Sequence, residues 1–152
     1  MLLLDTNIFG EIRKVARNHP KANSSVAAWY RTLDLDTVHT SVVVIGEMHN
    51  GVELTSHRGD PRAAEALRQW VHRLEVTLGP RILPIDVDVA RQWARLGVPN
   101  PVATADGLIA ATALVHGMEV VTSNIVDFSP GTGVAILQDM QECRAVRQGP
   151  TR

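Results

Sequence analysis

The amino-acid sequence predicts an α/β protein, a three-layer α/β/α sandwich on a mostly parallel sheet of about five strands. Three observations predict it. Short apolar runs without polar alternation, such as Leu2-Leu3-Leu4 and Val120-Val121, read as strands buried on both faces. Segments of helical periodicity alternate with them, the pattern of βαβ units. The 152 residues, 45% hydrophobic and 20% charged, suffice for one core and are cramped for two.

Leu2–Leu4 is the first strand and stops at Asp5. Ile8–Val15 reads as a helix with Asn7 as N-cap, broken by the polar stretch Arg17–Asn23. Ser24 or Ser25 caps a second helix through Leu33. Val38–Ser41 is the second strand, and a helical pattern runs from about Val43 to Leu54. After a turn at Arg58–Pro61, Pro61–Thr77 sets Leu67, Trp70, Val71 and Leu74 on one helix face. Trp29, Tyr30 and Leu33, like the Trp70–Leu74 face, suit core packing and would also suit a partner.

Ile82–Ile85 is the third strand, and Pro84 sends it to an edge. Asp88–Leu96 is helical, and Val98–Val102 is a proline-interrupted loop. Thr104 opens Ala105–His116, a helix apolar nearly all round and so buried on most sides, which Gly117 closes. Val120–Thr122 and Val134–Leu137 complete the strands. Residues 1–140 read as one domain and 141–152 as a flexible polar tail.

Charge is nearly balanced, 15 Lys+Arg against 16 Asp+Glu, which excludes a protein that coats nucleic acid by bulk electrostatics. A single cysteine, Cys143, excludes an internal disulfide framework and a thiolate zinc cluster. There is neither a basic-led leader nor an apolar run of membrane-spanning length, so the expected setting is the cytoplasm, away from the membrane.

The acids carry the chemistry. Asp5 follows the first strand, Glu47 lies early in the helix after the second, Asp106 opens the apolar helix, and Asp127 lies in the loop after the fourth strand. All four belong to the carboxyl edge of the sheet, where open α/β sheets place their crevice. Carboxylates gathered there repel one another unless a cation compensates. An all-oxygen set favours a hard ion, Mg²⁺ or Mn²⁺. Each acid taken singly has an ordinary reading too: Asp5 as a helix cap, Asp106 as a helix-dipole partner, Glu47 as a solvated helix residue, Asp127 as a loop acid.

Four stretches, Leu4-Asp5-Thr6-Asn7, Glu47-Met-His-Asn-Gly51-Val52-Glu53, Asp106-Gly-Leu-Ile-Ala-Ala-Thr-Ala113 and Val121-Thr-Ser-Asn124-Ile-Val-Asp127-Phe128, run in one order across almost the whole chain. In them the sequence resembles the PIN-domain endoribonucleases, particularly the VapC-type and FitB-like toxins of bacterial toxin–antitoxin pairs. The resemblance implies a metal cluster of Asp5, Glu47 and Asp106 with an acid near Asp127, oriented by Thr6, Asn7, and Thr122 or Asn124. Two departures stand out: Ser123 where the family commonly has arginine, and neutral Asn124 at one of two places where the loop acid occurs. Gly107 stands where alanine or leucine is usual, a change that reads as close packing.

The implied activity is Mg²⁺-dependent hydrolysis of phosphodiester bonds in single-stranded or looped RNA, with one or two ions lowering the pKa of water and polarising the phosphate. Asp5 and Asp106 would be primary ligands, with Glu47 and Asp127 completing the site. The basic run Arg13, Lys14, Arg17 and Lys21, with His19, would line the cleft; a solvated helix face or an antitoxin contact explains it equally. The resemblance further implies a homodimer and a VapB-like antitoxin whose C-terminal segment covers the cleft. A haloacid-dehalogenase-like phosphatase wants an acid at Asn7, and a receiver domain wants a late lysine, whereas none follows Lys21. A catalytically silent RNA- or protein-binding module on the same scaffold is the remaining alternative.

Overall fold

The computed structural model describes residues 1–99 and 102–124 and the backbone of 136–137. Asp127 and the expected tail, 141–152, lie outside the described residues. The elements run β1 (Leu2–Leu4), α1 (Thr6–Ala16), α2 (Ser24–Tyr30), β2 (Val38–Ser41), α3 (Val42–His57), α4 (Pro61–Leu78), β3 (Ile82–Leu83), α5 (Val87–Leu96), α6 (Thr104–Val115), β4 (Glu119–Val121) and β5 (Ile136–Leu137). Short 3₁₀ turns at Leu35–Thr37 and Gly79–Arg81 lead into β2 and β3.

The strands form one sheet in the order β3-β2-β1-β4-β5, and every pairing is parallel. β1 is the centre, with Leu3 opposite His39 on one side and Val120 on the other. Its three leucines are buried, as expected for a strand covered on both faces. β3 is an edge of the described sheet as expected, but it stops at Leu83 rather than Ile85, because Pro84 has no N–H to continue the ladder.

The chain steps from β1 outward to β2 and β3, then returns past β1 to β4. Right-handed crossovers therefore send the helices after β1 and β2 to one side and α5–α6 to the other. The reversal makes a topological switch point between β1 and β4, where an open α/β sheet leaves a crevice at its carboxyl edge. Beneath it lies a core of Leu3, Leu4, Ile8, Val44, Val52, Val71, Ile109, Val120 and Val121, all fully enclosed. In α6 the buried set runs Gly107, Ile109, Ala110, Ala111, Thr112 and Ala113, matching its nearly uniform apolarity.

Several helix boundaries differ from expectation: α3 runs on to His57 rather than Leu54, and α6 starts at Thr104 itself, with Ala103 in the cap position and no side-chain cap bond. Asp5, not Asn7, caps α1: its backbone is extended and its carboxylate accepts the Thr6 N–H, while Asn7 already lies in the helix. Asn23, not Ser24 or Ser25, caps α2, because its carboxamide oxygen accepts the N–H groups of both Ser25 and Val26. That helix stops at Tyr30 rather than Leu33, since the Thr32 and Leu33 amides turn back to the Trp29 and Tyr30 carbonyls. Gly117, at φ +61°, terminates α6 in the left-handed region as expected.

Candidate active site

The switch point is occupied by Asp5. Its side chain is only 5% exposed and carries three hydrogen bonds. Oδ1 accepts the Thr6 N–H at 2.7 Å, and Oδ2 accepts Asn7 Nδ2 and the Thr122 hydroxyl, each at 2.7 Å. All three donors are neutral, and among the described residues no cationic side chain pairs with Asp5. The N-terminus of α1 adds a favourable dipole for the negative charge. A carboxylate has about four lone-pair sites, so one remains for a further partner.

Asn7 and Thr122 are themselves held. Asn7 Nδ2 also donates to Thr122 Oγ1 at 3.0 Å, and Asn7 Oδ1 accepts the Ser123 N–H at 3.1 Å. The Asn124 N–H closes the group by donating to Thr122 Oγ1 at 3.0 Å. The departures at Ser123 and Asn124 thus enter the network through their backbone amides, which any side chain leaves in place. β1, α1 and the end of β4 are tied together by this network across the switch point.

Glu47 stands in the second turn of α3 and joins from the other side: the Thr6 hydroxyl donates to Glu47 Oε2. Thr6 therefore touches both acids, Asp5 through its amide and Glu47 through its hydroxyl. Asp106 sits half-buried in the first turn of α6. α6 leads directly into β4, so its N-terminus belongs to the same carboxyl edge, and α6 touches α3. Among the described residues no three His, Cys, Asp or Glu side chains gather closely enough to hold an ion together. The described nucleus is the pair Asp5–Glu47, an all-oxygen set whose chemistry suits a hard cation.

The expectation for Gly107 holds. A Cβ there would meet the Trp93 indole at 2.9 Å and Val102 at 3.6 Å, so the missing side chain lets α5 close on α6.

Beside Glu47 opens a cleft of about 480 Å³ lined by Thr6, Arg13, Lys14, Arg17, Met48 and Trp70 among others. Of the basic run, Arg13, Lys14 and Arg17 thus face this cleft, whereas Lys21 does not line it. Lys14 pairs with Glu11 at 2.6 Å, while Arg13 lies over the Trp70 ring at 5.6 Å from its centroid. Burial, then the charge of Arg17, pushes the Arg13 guanidinium below its ordinary value. Its Nε is enclosed without a hydrogen-bond partner. Trp29 is core as expected, whereas Trp70 does two things, packing on the core and walling the cleft. His19 and the bare helical glycines Gly10 and Gly51 also line this cleft. The sequence places His19 there with the basic run, and Gly51 lies in the Glu47 stretch, whereas Gly10 stands outside the family stretches and is not singled out by the sequence.

Comparison with known proteins agrees with this architecture. The PIN domain family matches residues 2–128. The chain is 34% identical to the toxin FitB of Neisseria gonorrhoeae over 137 residues, covering 84% of this chain and 91% of that protein. It is 29% identical to the VapC ribonuclease Y4jK of Sinorhizobium fredii over 137 residues, covering 84% and 90%. A solved structure of FitAB bound to a DNA fragment superposes with a TM-score of 0.77 at 32% identity, covering 90% of this chain and 94% of that one.

Proposed function

The chain belongs to the PIN-domain family, and we propose that it is a divalent-metal-dependent endoribonuclease acting as the toxin of a toxin–antitoxin pair. The observation that carries the proposal is Asp5: a buried carboxylate, fixed by three neutral donors and linked through Thr6 to Glu47, with no cation paired to either acid among the described residues. A structural role alone would be served by an uncharged cap at much lower desolvation cost.

Asp5 and Glu47 would hold Mg²⁺ or Mn²⁺, with Asp106 and Asp127 completing the set. When bound, such an ion supplies a water of lowered pKa and polarises the phosphate. Asn7 and Thr122 keep the Asp5 carboxylate from rotating, which preserves its free lone pair for the ion. Thr6 holds Glu47 at a set reach from Asp5. The basic side chains of the cleft would bind the phosphates of single-stranded or looped RNA, since splayed strands enter a cleft that an A-form duplex does not fit. A cognate antitoxin covering the cleft, a homodimer and a cytoplasmic setting belong to the same proposal. It is supported by the toxins FitB and VapC among the relatives and by the FitAB complex among similar structures.

A silent binding module on the same scaffold is the alternative. Cleavage of single-stranded RNA decides between the two. We expect activity with Mg²⁺ that chelation abolishes and that falls at least about 100-fold in Asp5→Asn and Asp106→Asn. Undiminished cleavage by both variants would assign the activity to a contaminant and leave the binding module. Growth arrest on expression, relieved by the antitoxin, tests the toxin role separately.

A further inference from the structure

The cleft beside Glu47 does not end at Arg17. A second hollow of about 410 Å³ is lined by Arg13, Arg17, Thr55, Asp60, Arg62, Ala63, Ala66 and Leu67. Arg13, Arg17 and Leu67 line both, so the two hollows share a wall. Together they form one channel that follows α1 from Thr6 to Arg17, with α3 and α4 as its far side. The 11 residues of α1 extend it roughly 16 Å at about 1.5 Å per residue. At a stacked spacing of roughly 3.4 Å per nucleotide, that is room for about five nucleotides.

The charges are distributed for such a strand. Among the described residues, Arg13, Arg17 and Arg62 have no carboxylate within 4.0 Å. Asp60 is the acid in the outer hollow, and its Oδ1 is engaged by the Ala63 N–H as the cap of α4. At the inner end stands Glu47, with Asp5 buried behind Thr6; at the outer end stand the arginines. Arg13 is immobilised on Trp70 and forms the ridge between the hollows, while Arg17 and Arg62 are exposed and free to follow a flexible backbone. Apolar lining comes from Met48, Trp70 and the shared Leu67, with the small Ala63 and Ala66 in the outer hollow, whereas arginines without a carboxylate partner among the described residues recur along the whole length, the arrangement that tracks a phosphate backbone.

We propose that the α1–α3–α4 channel is an extended single-stranded RNA track: the bond to be cut lies at the Thr6–Glu47 end, and the phosphates flanking it sit on Arg17 and then Arg62. Arg62 becomes a substrate-positioning residue that no sequence motif marks. The proposal rests on the ribonuclease reading, so its test uses binding, which is separate from cleavage.

The probe is a fluorescein-labelled oligouridylate 12-mer in EDTA, followed by anisotropy over a range of salt concentrations. Each phosphate contact to a single strand contributes about 0.7 to the slope of log K against log salt. Arg17→Gln and Arg62→Gln should each lower the slope by about 0.7 and the double variant by about 1.4. Arg91→Gln, which removes an exposed arginine on α5, should change nothing. Both target positions are exposed, and an unchanged urea midpoint confirms the fold. Slopes unaltered in the single and double variants, or no salt-dependent binding by the native protein, would overturn the track. Unaltered RNA binding with lost antitoxin capture would also overturn it, and would give the channel to the protein partner. Full cleavage by Asp5→Asn would instead sink the ribonuclease reading while leaving the slopes to judge the track.

Discussion

Thr122→Val tests whether the hydroxyl at the end of β4 holds the site together. Thr122 is 1% exposed, and its Oγ1 makes three hydrogen bonds: it donates to Asp5 Oδ2 at 2.7 Å and accepts from Asn7 Nδ2 and the Asn124 N–H at 3.0 Å each. Valine has nearly the same shape, so no cavity opens and the loss is polar. The bond to the carboxylate contributes about 1.5–3 kcal/mol and each neutral one about 0.5–1.5 kcal/mol. Asn7 Nδ2 keeps Asp5 Oδ2 as an acceptor at 2.7 Å, and Asn124 is exposed to water, so both neutral losses are largely recovered. The net cost is then about 2–3 kcal/mol, a substantial share of a typical stability of about 5–15 kcal/mol.

Urea unfolding of Thr122→Val and Thr122→Ser separates the hydroxyl from the methyl. Serine retains the network and should cost about 1 kcal/mol for one buried methyl. In RNA cleavage, Thr122→Val should lower kcat by up to about 100-fold, the scale expected when a catalytic group is displaced by about 1 Å, with KM little changed. Equal costs for valine and serine would refute the reasoning, because the methyl and not the hydrogen-bond network would then be what the site requires.

Other substitutions probe packing and the helix caps. Gly46 lies exposed within α3 with open space where a Cβ would stand, so Gly46→Ala should stabilise by about 0.5–1 kcal/mol in urea unfolding. Gly107→Ala gains the same propensity but drives its Cβ to 2.9 Å from the Trp93 ring; overpacking at about 1–3 kcal/mol should leave a net loss. Glu11 accepts from Lys14 Nζ and from the Asn23 N–H at the cap of α2, and these bonds hold its carboxyl below the ordinary 4.5. A depressed carboxyl stabilises the fold above its unfolded value and loses that contribution as pH falls through the folded one. Glu11→Gln should therefore unfold more easily at pH 7, by no more than about 1 kcal/mol for a half-buried surface pair with an exposed lysine, and the gap should close below pH 4.5. A gap of equal size at pH 7 and pH 3.5 would mean the charge plays no part.

Much of the architecture was legible because it is local. The leucines of β1, the apolar run of α6 up to Gly117 and the face of α4 all express periodicities of a few residues. The placement of Asp5, Glu47 and Asp106 at one edge followed from the strand–helix alternation. Errors fell where neighbouring side chains compete for one role. Asp5, Asn7, Asn23 and Ser24 are all good caps, and the choice among them depends on which residue keeps an extended backbone.

The chain by itself determined the fold class and the placement of Asp5, Glu47 and Asp106 at the carboxyl edge, since local strand and helix patterns encode both, while the close packing at Gly107 was read from the residue usual there in the family. The tertiary structure decided that Asp5 both caps α1 and anchors the site, that Thr6 spans from Asp5 to Glu47, and that Arg62 joins Arg17 along one channel. These are contacts between segments far apart in the chain. They depend on the strand order β3-β2-β1-β4-β5 and the faces its crossovers select, and no local pattern of propensity or charge contains that order.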